Sequence, residues 1–269
     1  MIERDRMAEP LERPAGFQSW SNLAFVHWRV PIQALRDVVP QPLSLDTWED
    51  QAWLGMVAFE MSRIRPWWSP ALPYLSAFPE TNLRTYVHLD GAGPGVWFFS
   101  LDASRWLAVQ AARWGWGLNY CWSRMRVQRR YSSVVDSPQA PSDSKVLLAT
   151  PHQTDCVLSE VDYHSQRVWG QPAGVDLQLS IAGQQQPRTA EPNSLEYFLC
   201  ERYLLYTMSA KRQLFKARVH HAPYPLLDAK VEACRQNLTE TIGCRVDQIE
   251  HVIFSPGVEV RVYSLQSLP

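Results

Sequence analysis

Residues 78–90, FPETNLRTYVHLD, alternate as a β-strand does. Thr, Tyr and Val favour the pleated conformation, and Asp90-Gly91 closes the run with a hairpin-type turn dipeptide. Successive side chains of a strand point to opposite faces. One face therefore carries Glu80, Asn82, Arg84, Tyr86 and His88, and the other Thr81, Leu83, Thr85, Val87 and Leu89. The second face is ordinary core. The first is a row of acid, amide, guanidinium, phenol and imidazole, which either faces water or lines a pocket.

The rest of the chain supplies more strands and a few helices. FVHWRV and QAWLGMVAFEMSRIR read as strands, with a short helix between them in PIQALRDVVP, started at Pro31 and stopped at Pro40. GVWFFSL is an apolar strand, followed by an Ala-rich helix over 103–114 that Asp102 can cap and that Gly115 and Gly117 end. Alternation returns at Tyr120, with Tyr120, Trp122, Arg124 and Arg126 on one face. SSVVDSPQAPSDSK has the composition of an exposed connection. LLATPHQTDCVLSEVDYHSQ, VDLQLSIAG and RQLFKARVHHAP predict strands. NSLEYFLCERYLLYT predicts a helix capped by Asn193 and Glu196, DAKVEACRQNLTETIG a second helix, and HVIFSPGVEVRVYSL a final hairpin. The pattern is α+β and dominated by antiparallel strands. Residues 1–16 read as a flexible tail and 17–269 as a single domain.

The net charge of −1 argues against a nucleic-acid partner or an anionic membrane surface. No apolar run approaches spanning length, and the first residues lack the apolar stretch of a signal peptide. Five scattered cysteines without a CxxC pair fit a reducing cytoplasm and point to no zinc or redox site. His220-His221 face opposite sides of their strand, so they do not chelate one ion, and no metal is expected. The sequence contains no GxGxxG or GxxxxGK[ST], so no cofactor is expected, and no GxSxG elbow for a hydrolase triad. The oligomeric state is left open.

FPETNLRTYV, GVWFFSLDA, AARWGWGLNY, FLCERYLLYT and HHAPYPL together resemble the YqjF-like family of uncharacterised proteins, domain of unknown function 2071. That family is grouped with the acetoacetate-decarboxylase-like superfamily. The resemblance implies a cone-shaped, largely antiparallel β-barrel with a few packed helices and a small-molecule pocket inside. In acetoacetate decarboxylase a segment like REIWGFPK carries a Lys that forms a Schiff base with the substrate ketone. The similar segment here is ARWGWGLNY, which puts Tyr120, or Asn119 if the register slips by one, in the place of that Lys. Imine formation needs an amine. The only lysines, Lys145, Lys211, Lys216 and Lys230, all follow this segment.

Within such a barrel the row from Glu80 to Tyr86 becomes a candidate site. Arg84 suits a carboxylate through two parallel hydrogen bonds, and Asn82 suits a carbonyl or hydroxyl. Glu80 suits general acid or base chemistry if burial raises its pKa, and Tyr120 suits donation of a proton or a hydrogen bond. Tyr86 and Asn119 complete the candidate binding set. The competing expectation is a structural ion pair between Glu80 and Arg84. Arg124, Arg126, Arg129 and Arg130 read as a solvated edge. The expected function is binding of a small carboxylate or ketone, with a lysine-independent reaction on it. A non-catalytic ligand sensor on the same cone is the alternative, as is a protein-interaction role with Trp67 to Pro70 as an exposed anchor.

Overall fold

The structure is a computed structural model and describes residues 8–72, 76–106, 119–133, 156–182, 185–209 and 212–268. The helix expected over 103–114 and the connection expected over 132–145 lie largely outside these residues.

Long strands carry the architecture: β1 (Gly16–Val30), β3 (Ala52–Pro66), β4 (Phe78–Leu89), β5 (Ala92–Ala103) and β12 (His251–Val262). A short α1 (Ile32–Arg36) follows Pro31 as the sequence predicts, and β2 (Ser44–Leu45) edges β4. β6 (Tyr120–Ser133), β7 (Cys156–Arg167), β8 (Gly174–Ile181) and β11 (Leu227–Gln236) continue the sheet from β5 round to β12. The ring β4-β5-β6-β7-β8-β11-β12-β1-β3 closes on itself, a nine-stranded barrel in which the only parallel step is β5 to β6. A second route joins the same two long strands. β9 (Leu204–Met208) pairs in parallel with β5 at Val96, and β10 (Leu214–His220) pairs with β12 at Val262. A two-residue β13 (Gln266–Ser267) edges β10.

The five long strands thus have covered surfaces on both sides, and their alternation sorts side chains between two apolar clusters. Ala24, Val26, Leu54, Met56, Leu83 and Val87 pack towards Val161, Tyr163, Leu177 and Leu179 of β7 and β8. Their immediate neighbours Leu23, Phe25, Trp53, Val57 and Tyr86 pack towards Phe198, Leu199 and Tyr224. A one-residue slip would exchange the two sets, so the hydrophobic pattern sets the register. The β4–β5 hairpin turns on Asp90 and Gly91, both at positive φ (51° and 75°), the geometry that Asp-Gly supports. The His88 ring nitrogen Nδ1 accepts the Gly91 N–H at 2.9 Å, so the last member of the polar row holds the turn.

Three expectations need correction. The helix predicted from Asp228 is the strand β11, with half-buried Leu227, Ala229 and Val231 alternating with exposed Asp228 and Lys230. Its Ala, Lys and Glu residues favour helix locally, but the ladder with β8 and the partial burial of one face outweigh propensity. Only Thr239–Ile242 coil, as one 3-10 turn. The helix predicted from Asn193 is α2 (Leu195–Cys200), capped by Ser194, whose hydroxyl accepts the Tyr197 N–H at 3.1 Å. It stops where Arg202 Nε donates to the Phe198 carbonyl at 2.6 Å, and Leu204–Met208 then enter the sheet. The final hairpin is the single strand β12. Pro256-Gly257 does not turn the chain: Gly257 sits at φ 146° opposite Ser21, and a Cβ there would lie 2.3 Å from the Trp20 carbonyl oxygen. Gly257→Ala is expected to lower stability by about 1–3 kcal/mol, read as a fall in the urea midpoint at unchanged m.

Candidate functional site

Between the long strands and the β9–β10 cover lies a cavity of about 520 Å³. Glu80, Asn82 and Arg84 of β4 line it, because β4 turns this face away from the Leu83 cluster. They are only 3%, 5% and 8% exposed. Tyr120 lines it as well, brought beside β4 by the pairing of Leu101 with Tyr120. Around these groups the wall is apolar, with Trp20, Phe25, Phe59, Phe78 and Phe98 among its residues.

Glu80 and Arg84 do not pair with one another; neither has an ion-pair partner among the described residues. Tyr120 donates its hydroxyl proton to Glu80 Oε2 at 2.9 Å. Arg84 Nη2 donates to the Leu199 carbonyl at 3.0 Å, and the Tyr86 hydroxyl donates to the same oxygen, also at 3.0 Å. Arg84 Nε and Asn82 Oδ1 are buried without hydrogen-bond partners among the described residues. Tyr86 is fully buried and supports Arg84 from behind rather than lining the cavity. Asn119 is exposed, outside the cavity wall, and its amide donates to the Phe99 carbonyl at 2.7 Å. Of the two residues weighed for the place of the superfamily lysine, the fold brings Tyr120 to Glu80. No lysine lines the cavity among the described residues.

Burial pushes the Glu80 carboxyl from 4.5 up to about 8; the Tyr120 hydrogen bond opposes this, and the charge of Asp102 adds to it. Glu80 is therefore largely a neutral acid at pH 7, able to accept from Tyr120 and to donate its own proton. Burial also raises the Tyr120 phenol well above its usual range, with the Glu80 charge reinforcing the rise. A phenol so shifted donates hydrogen bonds and holds its proton.

Several groups around the site escape a reading of the sequence alone. Asp102, expected to cap a helix, lies in β5 instead. Arg167 Nε and Nη2 grip its two oxygens at 2.7 and 2.8 Å, and Ser123 donates to it at 3.0 Å. Arg202 lines the cavity, pairs with buried Asp46 at 2.5 Å and stacks over Phe198. Glu201 accepts the Tyr224 N–H at 2.9 Å and the Tyr203 hydroxyl. Asp46 is some 156 positions from Arg202, and no local spacing announces such a pair. The sequence places Glu201-Arg202-Tyr203 within the FLCERYLLYT motif, as an anchor of the predicted helix to the sheet; the helix ends at Cys200, just before this run. His221 stacks on Tyr203 at 4.6 Å and meets the Tyr224 ring at a tilt, at 4.5 Å. Arg124 and Arg126 are exposed, Arg129 meets Glu60 and Arg130 meets Glu160 and Asp162, the solvated edge expected of them. Trp68 is 71% exposed.

The Glu80 shift gives stability a pH slope. Unfolded, this carboxyl releases its proton near 4.5; folded, it keeps it to about 8. Between those values the native state binds more protons, so stability falls as pH rises through the window and levels off above it. The buried histidines His27, His221 and His251, all lowered mainly by burial, act in the opposite direction on the acid side. Comparison with Glu80→Gln isolates the carboxyl. The variant is expected to gain several kcal/mol on the wild type between pH 5 and pH 8.5 in urea titrations. In Tyr120→Phe the window is expected to extend to higher pH, because the hydrogen bond that favours the carboxylate is gone.

Known proteins resemble this chain in sequence or in fold. Residues 17–259 match a family described as an uncharacterized conserved protein, domain of unknown function 2071. The uncharacterized protein YqjF of Bacillus subtilis (strain 168) is 33% identical over 236 residues, covering 88% of this chain and 85% of the relative. The enduracididine biosynthesis enzyme MppR, solved with pyruvate, superimposes with a TM-score of 0.60 at 12% identity over 97% of this chain and 93% of that one. An acetoacetate decarboxylase-like enzyme from Sphingomonas wittichii RW1 gives 0.60 at 13% identity over 96% and 94%. Acetoacetate decarboxylase from Legionella pneumophila gives 0.56 at 8% identity over 98% and 92%. At such identities the solved structures establish the acetoacetate-decarboxylase-like fold. With the family match and YqjF spanning most of its length, this chain belongs to the family of domain of unknown function 2071.

Proposed function

We propose that the chain binds a small organic acid in the barrel cavity and moves a proton on it without an imine intermediate. The observation that carries this reading is Arg84: a buried guanidinium on the cavity wall, near the Phe25 and Tyr86 rings, whose described hydrogen-bond acceptor is a carbonyl oxygen and not a carboxylate. A buried charge of this kind favours an anion brought by the ligand. Arg84 takes the carboxylate, and Asn82 orients a carbonyl or hydroxyl beside it. Glu80, two positions beyond Asn82 on the same strand face, takes a proton from the carbon next to the ligand's carbonyl in its carboxylate form, leaving an enolate, and as the protonated acid returns a proton to that carbon. Tyr120 holds the Glu80 carboxyl in place and stabilises the carboxylate left behind. Among the described residues no lysine lines the wall, which supports a departure from Schiff-base chemistry. That MppR was solved with pyruvate supports an acid in a cavity of this fold.

The test is a thermal-shift panel of carboxylates, keto acids and ketones on the wild type and Arg84→Ala. A ligand at a hundredfold excess over its Kd is expected to raise the wild-type Tm by roughly 5–10 °C and to leave Arg84→Ala unmoved. Hits are then incubated in deuterated water and followed by NMR. Glu80→Gln is expected to bind them with similar shifts while losing exchange of protons next to the carbonyl by at least a hundredfold. Equal exchange in the two proteins would leave a ligand-binding module without Glu80 catalysis. Equal thermal shifts in wild type and Arg84→Ala would refute the carboxylate clamp.

A further inference from the structure

The cavity is much larger than its polar end needs. At the ~30 Å³ that a water molecule occupies in the liquid, 520 Å³ corresponds to roughly 17 non-hydrogen atoms. A three-carbon keto acid has about six, so it would leave most of the space and nearly all the aromatic wall facing water. The space is also elongated. On β4 its lining runs from Phe78 to Arg84, about 20 Å of strand at ~3.3 Å per residue, and on β3 it continues from Val57 to Pro66.

Its two ends differ. Glu80, Asn82 and Arg84 are buried, whereas Gly16 and Arg65 are half-buried and Pro66 is exposed, so the mouth lies at the Pro66 end and the polar groups at the closed one. From the level of Glu80, which pairs with Phe59, towards the mouth the wall is formed by Trp20, Phe59, Met61 and Phe78, with Trp20 and Phe59 set edge to face at 5.7 Å. Water in such a passage finds few hydrogen-bond partners, and an apolar ligand gains the full benefit of leaving bulk water.

We infer that the ligand is an elongated monocarboxylic acid, its carboxylate at Arg84 and an apolar body of about ten or more carbons reaching past Phe59 and Phe78 towards Pro66. This rests on Arg84 as the acid's partner and adds the class of acid. The cavity then selects by length: each methylene moved from water to the wall tightens binding roughly fourfold until the chain reaches the mouth.

The experiment is isothermal titration calorimetry of straight-chain acids from C4 to C14, with the matching primary alcohols, on the full chain. The expected result is affinity rising about fourfold per methylene and reaching a plateau at C10 or beyond. Acids are expected to exceed alcohols of equal length, and Arg84→Ala to remove that excess while keeping the length dependence. Met61→Trp, which narrows the passage, is expected to move the plateau to a shorter chain; the wild-type series decides the matter if this variant does not fold. Flat affinity from C4 to C14, with the acid preference still lost in Arg84→Ala, would overturn the elongated ligand and leave the carboxylate reading intact. Equal binding of acids and alcohols would refute the carboxylate reading and with it the acid end of the inference. Loss of acid binding in Arg65→Ala but not in Arg84→Ala would put the acid at the mouth and overturn the proposed orientation.

Discussion

β4 has two faces, and both are withdrawn from water. The nine-stranded ring covers the face that carries Leu83 and Val87, and the β9–β10 cover with α2 lies over the face that carries Glu80, Asn82, Arg84 and Tyr86. A strand in one simple sheet exposes its polar face and pays no desolvation for it. Here the second covering layer turns that face into the wall of a cavity, and the chemistry of the site follows from this. Glu80 holds its proton because it is buried, Arg84 finds a carbonyl because Leu199 is folded down against it, and Tyr86 braces that carbonyl from the other side.

Three buried guanidiniums near the cavity show how the electrostatics is arranged. Arg167 grips Asp102 with two bonds, and Arg202 is held by Asp46 and by the aromatic faces of Phe198 and Tyr86. Such pairs offset much of the cost of burying charge and hold their elements in one arrangement. Arg84 has no acid at its side among the described residues. The nearest acid on its own strand face is Glu80, and Glu80 is neutralised by its surroundings, with Asp102 adding to the pressure against ionisation. An enclosed cation on the same strand face as a protonated acid is what supports the anionic ligand proposed above.

The local errors in reading the sequence share a cause. Asp228 to Gln236 is rich in residues that favour helix, and only its partner β8 makes it a strand. Leu204 to Met208 continues a helical apolar spacing, yet Arg202 reaches back to the Phe198 carbonyl and to Asp46, ending α2 after six residues. Pro256-Gly257 has the composition of a turn and instead sits flat against the Trp20 backbone within one long strand. In each case a partner distant in sequence outweighed a local preference of at most a few kcal/mol. Where no such competition exists, as at the Asp90-Gly91 turn or in α1 after Pro31, local residues sufficed.

By itself the sequence determined the alternation of β4, the grouping of Glu80, Asn82, Arg84 and Tyr86 on one face, the absence of a lysine from the ARWGWGLNY segment and the long strand β3 of the barrel. These are properties of neighbouring residues, and a period of two or a missing amine is visible without any contact. The tertiary structure alone decided that this face is enclosed, that Tyr120 and not Asn119 meets Glu80, that Asp102 faces Arg167 instead of capping a helix, and that Glu80 and Arg84 do not pair. Those outcomes depend on solvent exclusion and on partners 40 to 115 positions apart, which only the closed barrel brings together.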